Sequence, residues 1–161
     1  MAMVQKSSIN IDEGTREKLV ALLNNRVGLF TDLYIQTKLA HWNVRGPHFF
    51  LYHELFDAIA GHLLEAQDMT AERAATLGGF AGMTIQDVVS ENALPIWPME
   101  MRQDSQLIRT IGDRLNMVAA LVRGDINQAA SLGDADTADL FTELSRQLDK
   151  DLWLVESHYL L

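Results

Sequence analysis

The chain has no cysteine, which excludes disulfide bonds and leaves seven methionines as its only oxidisable sulfur. No apolar run approaches the roughly 18 residues that a membrane-spanning helix needs. The opening stretch, Met1–Asn10, has no apolar core of the signal-peptide kind, so a cytoplasmic location is the default expectation. Basic residues are in deficit: 13 Lys and Arg against 22 Asp and Glu leave a net charge of −9. That balance opposes simple electrostatic binding to nucleic acid and suits the gathering of metal cations, although solubility alone also accounts for it. Internal repeats, linkers and low-complexity segments are absent. What is present is 161 residues with an ordinary hydrophobic content of 48%. This is enough for one domain over 1–161 with a sizeable core, and residues 1–10 read as a short flexible tail.

The apolar residues recur at helical spacing in four long stretches. Leu19, Leu23, Val27, Phe30 and Tyr34 form a stripe within a helix from about Asp12 to Ala40, with Asn10 or Asp12 as its cap. Tyr52, Leu55, Phe56, Ile59 and Leu63 form a second stripe, in a helix that starts at Pro47 and stops near Leu77 before Gly78-Gly79. Ile108, Ile111, Leu115, Val118 and Val122 mark a third helix over about 104–130. Phe141, Leu144, Leu148, Leu152 and Val155 mark a fourth over about 135–159. Between the second and third lies a long stretch, about Phe80 to Gln103, containing Pro95 and Pro98. A connection this long demands a reason, and a crossover joining parallel helices supplies one. Thr84 to Ser90 fits a short helix within it, and Trp97 a buried anchor.

The chemistry concentrates between His41 and Arg73. His53 and Asp57 are four residues apart, as are Asp68 and Glu72, so all four fall within an arc of about 100° on one helix face. Within one chain they cannot meet, because Asp57 and Asp68 are about 16 Å apart along the helix and His53 and Glu72 about 28 Å. A second copy laid antiparallel across a two-fold axis near Gly61-His62, flanked by Ala58 and Ala60, brings 53 opposite 72 and 57 opposite 68. The turn at Gly46-Pro47 folds the preceding helix back, which brings His41 level with His53. The expected cluster is His41, His53 and Asp57 of one chain with Asp68 and Glu72 of its mate. Mixed imidazole and carboxylate donors suit iron, manganese or zinc better than magnesium or calcium. Two His and three carboxylates suffice for one firmly held ion and a second, looser one. Such a pair is suited to redox chemistry on peroxide or dioxygen.

The run Thr37-Lys38-Leu39-Ala40-His41-Trp42-Asn43-Val44-Arg45-Gly46 is followed by Phe49, by His53-Glu54-Leu55-Phe56-Asp57 and by Asp68-Met69-Thr70-Ala71-Glu72-Arg73. Together they resemble the Dps family, the mini-ferritins that protect bacterial DNA in starvation and oxidative stress. The likeness extends to Asp136-Thr137-Ala138-Asp139 and to Leu148-Asp149-Lys150-Asp151-Leu152-Trp153, and covers most of the chain after about residue 12. It implies an all-α, ferritin-like four-helix bundle with a short helix in the crossover, assembled as a dodecameric hollow shell. It implies ferroxidase centres at two-fold interfaces, oxidation of Fe(II) by hydrogen peroxide in preference to dioxygen, and storage of a ferric mineral. Zinc or manganese would substitute for iron. By the same likeness Trp42 lies beside the metal and intercepts oxidising equivalents, Glu54 helps nucleate mineral, and Asp134, Asp139 and Glu143 line an acidic three-fold pore. Helix-dipole support is the competing role for those three acids.

Relatives that bind DNA carry a longer Lys/Arg-rich tail, whereas the start of this chain has one basic residue, Lys6. DNA binding is therefore expected to be weak or absent, and association with the nucleoid is left open. The alternative reading is a DNA-compacting structural protein with incidental metal binding. Ordinary ferritins place Glu-x-x-His on two helices, and this chain has no Glu-x-x-His. His53-Glu54-Leu55-Phe56-Asp57 lacks the second His of a metalloprotease motif. His48, His62 and His158 are out of register with the cluster and read as structural or solvated.

Overall fold

The fold is described here from a computed structural model covering residues 4–91 and 94–160. Five helices follow one another: α1 (Glu13–Asn43), α2 (Phe49–Thr76), α3 (Ile85–Glu91), α4 (Asp104–Ser131) and α5 (Ala135–Glu156). Asp12 starts α1, its carboxylate accepting the Thr15 N–H at 3.0 Å. The helix runs past Ala40 to Asn43, so His41 and Trp42 sit in its last turn and not in a loop. Two residues beyond Pro47, α2 begins, and it ends at Thr76, two residues before Gly78, whose φ of +86° favours glycine.

α1 and α2 form one antiparallel hairpin, and α4 and α5 form another. The stripes read from the sequence meet between them: Phe30, Phe56, Phe141, Leu19, Leu63, Ile108 and Ile111 are almost wholly buried. Removing one of those Phe side chains from water contributes about 1.5–3 kcal/mol. The crossover returns the chain to the start of α2, so α2 and α4 run parallel. Its seam is a short parallel pairing: Arg45 N–H donates to Arg102 O at 2.7 Å and Asp104 N–H to Arg45 O at 2.9 Å. Leu94 and Trp97 are buried within it, and Val88 of α3 seats close to Gly28 of α1. The short helix thus covers α1.

Two expectations need revision. The start of the chain is not a free tail from residue 4 onward: Gln5 N–H donates to Gly78 O at 2.8 Å, and the buried Arg16 guanidinium donates to Gln5 O and Leu77 O, each at 2.9 Å. Residues 1–3 lie outside the described residues. Ala60, expected beside a two-fold axis, is buried in the protomer's own core, whereas Gly61 is open.

Buried ion pairs orient the hairpins. Arg26 of α1 holds Asp125 of α4 through two hydrogen bonds of 2.5 and 2.9 Å. Arg73 at the end of α2 holds both oxygens of Asp134 at 2.9 Å, and Asp134 caps α5 through Thr137. Burial alone would raise the Asp134 carboxyl, but hydrogen bonds from Thr137 and Arg73 outweigh it and hold the group below its ordinary 3.8. A carboxyl depressed in the fold stabilises fully above its unfolded pKa and loses that contribution as pH falls through the folded value. Asp134→Ala is expected to remove about 3 kcal/mol, because it strips a cap and leaves Arg73 without its carboxylate. Chemical denaturation at pH 7 and pH 3 checks this: the gap between wild type and variant should be large at pH 7 and smaller at pH 3.

Candidate metal centre

His41 and His53 face each other across the α1–α2 hairpin. Their rings stack with centroids 3.8 Å apart and planes 20° apart. His41 Nδ1–H donates to the His53 carbonyl at 2.8 Å, and His53 Nδ1–H donates to the His41 carbonyl at 3.0 Å. A carbonyl oxygen can only accept, so each Nδ1 carries the proton and each Nε2 keeps its lone pair. The pair is therefore preset in the tautomer that ligates a metal through Nε2.

Asp57, one turn beyond His53, brings its Oδ1 to 3.9 Å from His41 Nε2. The Lys38 ammonium occupies that same oxygen at 2.5 Å and lies 5.6 Å from the centre of the Trp42 ring. The Lys38 hydrogen bond is the main reason the Asp57 carboxyl sits below its ordinary value. His41 is buried, His53 half-buried, and Trp42 exposed. The donors fit Fe(II), a borderline ion that accepts imidazole nitrogen and carboxylate oxygen, and Lys38 already marks the position a cation takes beside Asp57.

Asp68 and Glu72 are exposed about three and four turns beyond Asp57 along α2, with no ion pair to either among the described residues. Asp57, Gly61, Leu64, Asp68 and Glu72 make one continuous uncovered strip on α2. Among the described residues of the single chain, no three His, Asp or Glu side chains converge to hold a metal ion. Glu54 is exposed. Of the three acids grouped as a pore, Asp134 is buried and committed to Arg73 and the α5 cap, while Asp139 and Glu143 are exposed one turn apart. The dipole-supporting role is the one Asp134 performs.

Residues 20–159 match the ferritin-like domain family. A DNA protection during starvation protein from Agrobacterium fabrum is 35% identical over 153 residues, spanning 95% of this chain and 94% of that protein. The chain belongs to the Dps family. Its fold agrees: DpsC from Streptomyces coelicolor superposes with a TM-score of 0.93 at 26% identity, over 99% of this chain and 93% of that one. Mycobacterium smegmatis Dps gives 0.91 at 25% identity, over 97% and 94%.

For a Dps chain, the sequence motif leaves out Lys38 as a partner of Asp57. The hairpin arithmetic that aligns 41 with 53 also aligns 38 with 56, one residue from Asp57, so the signal was there. Lys38→Met frees that carboxylate. The variant is expected to bind cobalt(II) about two- to five-fold more tightly, and its Asp57 carboxyl should titrate closer to 3.8. Anaerobic titration followed by visible absorption reads the first, and carboxyl NMR the second; unchanged affinity would show that Lys38 does not compete with the cation.

Proposed function

We propose that this protein is a ferroxidase and iron-storing mini-ferritin. It oxidises Fe(II), preferably with hydrogen peroxide, keeps the ferric product as mineral inside a dodecameric shell built from two-fold dimers, and thereby protects DNA and the cell from oxidative stress. The observation that carries this reading is the reciprocal His41–His53 locking, which presents two Nε2 donors beside Asp57. Family membership and the relatives named for DNA protection in starvation support it.

Iron is the substrate. His41, His53 and Asp57 of one subunit bind it with Asp68 and Glu72 of the mate, two ions per site, the second more weakly; zinc or manganese takes the same donors. The imidazoles fix position, and the carboxylates bridge and offset the charge that grows as Fe(II) becomes Fe(III). Two Fe(II) each give one electron to one hydrogen peroxide, which takes two protons and leaves as two waters. Delivering both electrons together avoids the hydroxyl radical that single-electron reduction releases. Lys38 is displaced from Asp57 as the cation arrives. Trp42, exposed on the subunit and next to His41, intercepts stray oxidising equivalents. Asp139 and Glu143 attract entering Fe(II), and Glu54 helps seed mineral.

Sharing across the dimer makes a distinctive prediction. His53→Ala and Glu72→Ala proteins should each lose rapid oxidation at low iron, by about 10-fold or more. When the two are dissociated, mixed and reassembled, half the dimers are mixed, and one site in each mixed dimer is intact. About one quarter of the wild-type rate should return. Stopped-flow oxidation measures it, and a mixture no faster than either parent rules out a shared centre.

The DNA-compacting alternative has little electrostatic support. Net charge is −9, and Lys6 is the one basic side chain in the first ten residues. Few phosphates can be neutralised, so affinity should be low and should vanish quickly with salt. A gel shift with linear DNA is expected to give no retardation near 0.15 M salt and weak retardation at most at low salt. Strong retardation would favour compaction as the primary role.

A further inference from the structure

Tyr52 stands on the core side of α2, next in sequence to His53 and only 4% exposed. Its ring is enclosed by others. His48 stacks on it with centroids 5.4 Å apart, His158 meets it edge-on at 5.0 Å, and Phe56 lies tilted at 6.1 Å. Consecutive Cα atoms are about 3.8 Å apart, so one peptide unit separates this phenol from a ligand of the metal centre. Trp42 stands in the same relation to His41, but its ring is 56% exposed. Packing alone does not call for a phenol here, since phenylalanine would fill the same space. A buried tyrosine hydroxyl usually finds a hydrogen-bond partner. The Tyr52 hydroxyl has none among the described residues, yet no buried side-chain oxygen there is left unsatisfied, so its oxygen keeps a contact with solvent. The ring is thus shielded while the hydroxyl can pass its proton to water.

We propose that Tyr52 is a one-electron relay for centres that hold a single Fe(II). The inference rests on the ferroxidase reading and concerns the state in which the second, weaker ion is missing. When hydrogen peroxide meets one Fe(II), the iron gives one electron and the O–O bond breaks into hydroxide and hydroxyl radical. Tyr52 supplies the next electron and releases its phenol proton to water. The hydroxyl radical takes that electron and a proton and becomes water, and Tyr52 is left as a neutral phenoxyl radical. A second Fe(II), on arrival, gives its electron to the phenoxyl, which takes back a proton. The sum is two Fe(II), one hydrogen peroxide and two protons going to two Fe(III) and two waters, the same balance as at a full centre. The enclosed ring keeps the phenoxyl away from other reactants until that second ion arrives, which the exposed ring of Trp42 does not.

Freeze-quenched electron paramagnetic resonance of the whole protein tests this. Protein carrying one Fe(II) per centre is mixed with one equivalent of hydrogen peroxide. A tyrosyl signal should appear, should narrow when the tyrosines carry ring deuterium, and should fade when a second Fe(II) is added. Tyr52→Phe, which keeps an aromatic ring in the core, should lose the signal, whereas Tyr34→Phe and Tyr159→Phe should keep it. Spin trapping should find several-fold more hydroxyl radical from Tyr52→Phe than from wild type at one Fe(II) per centre. Iron oxidation by wild type at two Fe(II) per centre is followed alongside. Fast oxidation there with no tyrosyl signal at one ion, or with a signal that survives Tyr52→Phe, overturns the relay and leaves the ferroxidase reading standing. Slow oxidation there overturns the ferroxidase reading and the relay with it.

Discussion

Two side chains that hydrogen-bond to each other's backbone set the centre of this molecule. The bonds from His41 Nδ1–H to the His53 carbonyl and from His53 Nδ1–H to the His41 carbonyl act together. They fix both tautomers, stack both rings, and fasten the last turn of α1 to the first turns of α2. A one-residue slip in the hairpin would break both bonds at once. The pairing is therefore also a register device, and the free Nε2 atoms are a consequence of satisfying the Nδ1 protons inside the fold.

The turn between those helices has little freedom left. Gly46 adopts φ of +143°, and a Cβ there would fall 2.4 Å from the Asp104 carboxyl carbon. That carboxylate accepts the His48 N–H at 2.9 Å and the Ser105 N–H at 2.7 Å, and these bonds keep it ionised below its ordinary range. The start of α4 thereby grips the turn that aligns the two histidines. The long crossover follows from this arrangement. It must carry the chain back along the bundle so that α4 begins beside α2, and Trp97, Leu94 and the Gln36 bond to Pro95 O at 3.2 Å pin it on the way.

Charge is distributed by burial. Three paired carboxylates are inside, where Arg26, Arg73 and His62 meet Asp125, Asp134 and Asp151, while Asp149 pairs with Arg123 on the surface. Carboxylates with no ion pair among the described residues are outside, on α2 at Asp68 and Glu72 and on α5 at Asp139 and Glu143. The inner pairs orient helices, since breaking any one leaves a buried charge. The outer carboxylates are available to cations. Asp57 stands between the two classes, exposed yet held by Lys38, which makes it the acid of the centre whose availability a neighbour controls.

Much of this was legible in the residues. Period and punctuation place the helices within a few residues, because apolar spacing and Gly-Gly or Pro stops are local properties. The i,i+4 pairs on α2 and the hairpin mate His41 follow from helix geometry alone. The pairings that cross between helices were not legible. Whether Asp134 lines a surface or caps a helix depends on Arg73 lying 61 residues away, and whether His62 is solvated depends on Asp151, 89 residues away. The same holds for residues 4 and 5, whose fastening requires Arg16 and the end of α2 to arrive together. The order of residues along the chain determined which side chains share a helix face. Only the packed bundle decided which of them face each other, because that choice rests on contacts between elements that no local pattern records.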